Sequence, residues 1–297
     1  MFQKSSLHYY EDGDIILIVQ DTAFCLHRNY LSMASKVFRD MLSCVTSSTD
    51  KDLSRINITD TSPLVFEKFL TFIYPKNFVP ITWDIISEFC QIGDKYEFAS
   101  VLGAAETFLE SHFYEKPLSS LILADRYLFK FIYKESSKLV LNRFHEYRQH
   151  SKFLLLSHKT RSALFEKYLD FTISITTICS LKKHKDFHHH SLCRLNNLSF
   201  TSHECEINDW YESFFERFRL LNSDTLLSPS KSMNVILKHL MEFWRDYVNR
   251  TWTECEYRFF NDYLSKQFIA HFGNFEPLKF EKSRRDAEHY IFIELKD

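Results

Sequence analysis

Between Gly13 and Ser43 the chain alternates apolar runs with short polar breaks. Ile15 to Val19 is apolar at every position, as in a strand covered on both faces. The polar pair Gln20-Asp21 interrupts it and predicts a hairpin turn, with Thr22 to Leu26 as the second strand and His27-Arg28 at its end. Tyr30, Leu31, Met33 and Ala34, then Val37, Phe38, Met41 and Leu42, recur at helical spacings. Ile56-Asn57-Ile58 alternates like a third strand. Asp60-Thr61-Ser62-Pro63 predicts a helix start, with Ser62 as N-cap and Pro63 at the first helical position. Val65, Phe66, Phe69, Leu70, Phe72 and Ile73 form that helix's apolar face, which ends before Pro75. Trp83 to Phe98 and Ser100 to Phe113 continue the helical pattern, and Pro117 closes the block. The first dozen residues are polar and predict a frayed end, and 44–55 reads as a polar loop.

Beyond Pro117 the patterns are helical: Leu118 to Tyr133, Glu135 to Tyr147, and stretches near 159–181, 208–220, 231–248 and 252–272. A basic, His-rich, irregular stretch occupies 182–204. His289 to Leu295 alternates weakly, as a strand or an extended end. No repeat of solenoid type is present.

Read together, the N-terminal elements resemble the start of a BTB/POZ domain. In that family an Asp before an apolar strand leads to a hairpin. The next strand ends in Phe-x-x-His-Lys/Arg, with a Leu three residues later and a Ser-x-x-Phe helix. Here those positions are Asp14, Ile15 to Val19, Phe24, His27, Arg28, Leu31, Ser35 and Phe38. The segment SPLVFEKFLTFIYP is also similar to the family. Many animal members continue Tyr-Thr-Gly where this chain has Tyr74-Pro75-Lys76-Asn77, a departure that bears on which partner reads the adjoining loop.

The resemblance covers residues 12–116 and implies an α+β fold, a three-stranded sheet with a cluster of helices. A mainly α-helical region follows at 117–297, of a kind that BTB proteins of fungi often carry. The resemblance also implies a protein-interaction module, commonly a homodimer, with its seam on the first helices. The seam candidates are Tyr30, Leu31, Met33, Ala34, Val37 and Met41, since Met and aromatic side chains offer adaptable apolar contact area. Asp14 and Arg28 stand as a charged pair lining a groove or seam, or as an ordinary solvated pair. His27 reads as a structural histidine, since no nucleophile accompanies it.

Composition narrows the function classes. The 297 residues suit one large domain or two ordinary ones. With 26% charged and 45% hydrophobic residues the chain is globular in character, and a net charge of -2 offers no general attraction to nucleic acid or anionic membrane. The four glycines stand singly, so no glycine-rich phosphate loop or dinucleotide turn can be written. The 30 phenylalanines fall mostly at helical spacings and read as core. No stretch approaches the ~20 apolar residues that span a bilayer, and the N-terminal MFQKSSLHYYEDGD lacks the apolar core of a signal peptide. Seven scattered cysteines then imply free thiols in the cytoplasm or nucleus.

No recognisable catalytic motif is present, and the expectation is a non-enzymatic protein without cofactors. The zinc-type ligands Cys193, His203, Cys205 and Cys255, with the histidines at 184 and 188–190, lack the spacing of a zinc finger, so a metal-free loop is favoured over a structural zinc. Lys182, Lys183, Lys185 and Arg194 are too few for a phosphate-tracking surface. Two readings follow. One is a self-associating scaffold or adaptor, with a cullin-type ubiquitin ligase among its partners, although the loop at Lys76 to Ile81 lacks the apolar-x-Glu signature of cullin contact. The other is a dimeric transcription-linked regulator, or a zinc-stabilised interaction protein.

Overall fold

A computed structural model of the chain describes residues 2–44, 53–59, 61–74, 80–180, 228–235, 238, 276–277 and 288–295. The chain divides into two compact units, one of residues 1–115 with 127–132, the other of 116–126 with 133–297.

The first unit is built on a four-stranded mixed sheet of order β1-β3-β2-β4, with β1 Gln3–Tyr9, β2 Ile15–Val19, β3 Thr22–Leu26 and β4 Arg55–Ile58. β2 lies inside the sheet, antiparallel to β3 and parallel to β4, and buries four of its five side chains, as its unbroken apolar run predicts. The hairpin closes through Gln20-Asp21, and Gln20 takes the left-handed φ of 55°. Gly13 is required at the mouth of the hairpin. A Cβ there would lie 2.7 Å from Cys25 Sγ and 2.9 Å from the Leu26 carbonyl oxygen, against which the chain passes to bond Asp14 N–H to Leu26 O at 2.9 Å.

The N-terminus departs from expectation. It is not frayed: β1 adds a fourth strand where the sequence suggested three, pairing parallel with β3. The ladder shifts between Lys4 and Tyr9, and the bulge turns polar Ser5 and His8 inward. Ser5 Oγ donates to Glu67 Oε1 at 2.5 Å and accepts the His8 N–H at 3.1 Å, so the buried hydroxyl is satisfied.

Helices α1 (Arg28–Ala34) and α2 (Lys36–Cys44) follow the hairpin, then α3 (Pro63–Leu70), α4 (Ile86–Lys95) and α5 (Ala99–His112). Ser62 caps α3 by accepting the Val65 N–H, with Pro63 in the first turn. α4 ends in a Schellman turn, in which Phe98 N–H bonds Gly93 O at 2.7 Å and Glu97 N–H bonds Asp94 O at 3.1 Å, with Glu97 at φ 52°. The turn seats Phe98 in a fully buried aromatic core with Phe38 and Phe69. Ser35, which divides α1 from α2, is nearly inaccessible. Its hydroxyl accepts the Phe38 N–H at 3.0 Å and donates to the Tyr96 carbonyl at 2.5 Å, while the Phe38 ring stacks on Tyr96 at 4.9 Å. The Ser-x-x-Phe pattern is thus a cap joined to a core anchor.

Helices after the first unit's α5 include α6 (Pro117–Tyr127), α7 (Lys130–Asn142), α8 (Phe144–Tyr147), a 3-10 turn at Ser151–Leu155, and α9 (His158–Ser180), and residues 229–235 are also helical. The break between α6 and α7 falls at Leu128, which sits at φ 60° in the position usually given to glycine. Within the second unit, the Asp125 carboxylate accepts from Ser157 N–H at 2.6 Å and from Thr160 Oγ1 at 2.5 Å, fixing the start of α9. The middle of α7 is unusual, because Glu135, Ser136, Ser137 and Lys138 are all buried. β5 (Glu276–Pro277) and β6 (His289–Tyr290) form a two-residue pairing, so the weak alternation at 289–295 is short strand and then chain without regular structure. The stretches 182–204, 208–220 and 252–272 lie outside the described residues.

Candidate interaction surface

α1 begins where β3 ends, and a residue from the other strand of the hairpin caps it. His27 occupies the N-cap position without a side-chain cap, and Asp14 Oδ1 instead accepts the Arg28 N–H at 2.7 Å. Arg28 returns Nε to the Asp14 carbonyl at 3.4 Å and donates from Nη1 to the Leu42 carbonyl, at the end of α2, at 3.2 Å. The two residues singled out as a charged pair are therefore joined through backbone groups, and together they brace α1 against α2.

His27 is packed among tyrosines. Its N–H donates to Tyr74 Oη at 2.8 Å, Nε2 lies 3.3 Å from Asp12 Oδ1, and its ring meets Tyr10 and Tyr30 at 5.1 and 5.5 Å. Tyr10 stacks on Tyr74 at 4.9 Å. Burial pushes the Tyr74 phenol well above its ordinary range, and burial, reinforced by Asp12, raises that of Tyr10. Both hydroxyls keep their protons at physiological pH. The cluster is a rigid base beneath the first turn of α1.

The six seam candidates separate by burial. Leu31 is corrected from seam to core, because it is fully buried beside Phe38 and the sheet. Ala34, Val37 and Met41 are half-buried and pack on that same core. Tyr30 and Met33 point outward, at 52% and 83% exposure. Met33 also lines an open hollow of about 490 Å³ with Asn29, Ser32 and Arg39. These three polar residues were missed because the search followed apolar positions. Asn29, Ser32 and Met33 stand at i, i+3 and i+4, so counting polar residues along the same helical stripe would have found the first two. What results is one face with an unbranched, polarizable side chain at its centre, an aromatic ring held from beneath, and hydrogen-bonding groups around them. Such a surface suits contact with another protein and offers no arrangement for bond-making chemistry.

The zinc-type candidates Cys193, His203, Cys205 and Cys255 lie outside the described residues. Among the described residues no group of three or more His, Cys, Asp or Glu is placed to hold a metal ion. No helix of these residues is long and apolar enough to cross a membrane.

A family model of the BTB/POZ domain matches residues 3–113. These residues form a BTB/POZ domain. The match begins at the first residue of β1, and it makes the first unit a protein–protein interaction module. Similarity to BTB and MATH domain-containing protein 38 of Caenorhabditis elegans runs over 163 residues at 28% identity, covering 52% of this chain and 40% of that protein. Kelch-like protein 25 of Homo sapiens is 30% identical over 149 residues, covering 50% of this chain and 25% of its own length. The chain thus spans well under half the length of either relative. Among solved structures, the BTB domain of zebrafish PATZ1 is similar at 22% identity, with a TM-score of 0.29 over 33% of this chain and 76% of that one.

Proposed function

We propose that this chain is a self-associating scaffold or adaptor, a non-enzymatic protein of the cytoplasm or nucleus whose BTB/POZ domain pairs with a second copy through the outer faces of α1 and α2. The observation that carries the reading is Met33, an apolar side chain left 83% exposed at the centre of a structured face. A Met at such a position gains apolar burial only from a partner. Tyr30 adds contact area at low entropic cost, because its ring is already held against Tyr74 at 5.3 Å. Light scattering after gel filtration of the full chain tests this. The expected result is a dimer that Met33→Asp converts to a folded monomer, and a wild-type chain that stays monomeric at tens of micromolar would overturn it.

A second reading makes the chain an adaptor for a cullin-type ubiquitin ligase, presenting a partner held by its second unit. It is supported by the similarity to Kelch-like protein 25, which extends over 149 residues and so beyond the domain at 3–113 into the helices that follow. Co-purification with a cullin N-terminal domain tests it, and failure to bind at tens of micromolar removes it. The transcription-linked and zinc-stabilised readings share one measurement, the metal content of the purified chain, and stoichiometric zinc would favour them.

A further inference from the structure

In the second unit, residues 288–295 lie against α7 in a manner that resembles a bound peptide more than a continuation of the core. Tyr290, Ile291 and Ile293 are buried, while Glu294 is exposed. The Ile293 N–H donates to Ser137 Oγ at 3.1 Å, and the hydroxyl proton of Ser137 is directed to the Lys134 carbonyl at 2.7 Å. The Phe292 ring lies under two ammonium groups, Lys134 Nζ at 4.1 Å and Lys138 Nζ at 5.5 Å from its centroid. Lys134 Nζ also binds Glu294 Oε1 at 2.9 Å. One ring, one backbone amide and one carboxylate on the consecutive residues Phe292, Ile293 and Glu294 are met by two side chains one turn apart on α7, the amide by Ser137 and the ring and carboxylate by Lys134. Peptide-recognition sites read extended ligands in this way.

The site is also self-neutral. Lys138 and Glu135, on the same helix, bind each other at 2.7 Å, so the charge of Lys138 is balanced within α7 and not by the tail. We infer that residues 288–295 are an intramolecular ligand, and that the α7 face around Ser137 is a peptide-binding site for extended segments of aromatic–aliphatic–acidic sequence, occupied here by the chain's own tail. The inference rests on residues separate from the α1 face and stands whether or not the chain dimerises.

A fluorescent peptide of residues 288–297 and the full-length chain test it by anisotropy. Wild type, whose own tail fills the site, is expected to bind the peptide at least tenfold more weakly than a full-length Ile293→Asp chain. Adding Ser137→Ala to that chain is expected to remove the gain, and an Ile293→Asp peptide to compete poorly. Equal binding to both chains, or none to either, overturns the proposal. So does an Ile293→Asp chain that loses its helical circular dichroism, since the tail would then be core. Lys134→Glu, which replaces the cation facing both Phe292 and Glu294 by an anion, provides a second reading. It is expected to speed hydrogen exchange at the Ile293 amide at least tenfold with the fold intact, and an unchanged rate counts against the site.

Discussion

The first turns of α1 and the middle of α7 invert the usual rule in opposite directions. α1 leaves Met33 in solvent at 83% exposure, while α7 withdraws Lys138 and Glu135 from it, at 0% and 4% side-chain exposure. Neither arrangement follows from helix propensity, since both stretches hold ordinary helix formers. The difference lies in what covers them. α7 meets residues 288–295, more than 150 positions along, which supply an amide, a ring and a carboxylate. The outer face of α1 ends in an open hollow. A buried charge is matched within the chain, whereas the exposed thioether on a structured face is what the proposed self-association would cover.

The largest expected effect breaks the buried side of this comparison. Lys138→Ala breaks the buried 2.7 Å ion pair with Glu135, and a loss of up to about 3–5 kcal/mol is expected in urea unfolding. Combining Glu135→Leu with Lys138→Met should recover most of that loss, because two apolar side chains need no pairing. Ser35→Ala tests the internal support of the exposed face. It removes the α2 cap and leaves the Tyr96 carbonyl without its 2.5 Å donor, and about 1–3 kcal/mol is expected by the same measurement.

The first unit carries an alkaline pH effect. Burial, with Asp94 nearby, pushes the Cys90 thiol from the ordinary 9.0 up to about 12. The folded state therefore keeps a proton that the unfolded state releases. The contribution is complete below pH 9 and falls by about 1.4 kcal/mol per pH unit as the pH rises from 9 toward 12. Cys90→Ala should flatten that alkaline slope in unfolding curves. The smallest expected change in stability is that of Met33→Asp, within about 0.5 kcal/mol, because its side chain meets water in the isolated chain. A larger loss would place Met33 in the core and end the comparison.

Legibility in the sequence followed the range of the interactions. The strand at Ile15–Val19, the turn at Gln20-Asp21 and the Ser62-Pro63 helix start each depend on neighbours within a few positions, and each is present as read. The BTB/POZ domain was recognisable from the spacing of Asp14, Phe24, His27, Leu31, Ser35 and Phe38. β1 was missed because its buried residues, Ser5 and His8, are polar, and a bulge erases the period of two. The α6–α7 break was missed because Leu128 carries a backbone angle that ordinarily advertises itself as glycine. At the surface, helical spacing grouped Leu31 with Met33, although two positions along a helix turn the side chain through about 200°. Which of the two faces inward was settled by the sheet. Nothing local to Glu135–Lys138 announces burial, and the Phe292, Ile293 and Glu294 that meet this helix are more than 150 positions away.

Ser35 has a geometric consequence. Its hydroxyl begins α2 and at the same time grips the last turn of α4, so the angle at which α1 leaves α2 is referenced to a helix more than fifty residues downstream. The outward face is thereby mounted like an instrument on a fixed bearing. Its tilt is read from the interior, so the partner proposed for Met33 would meet a surface aligned beforehand.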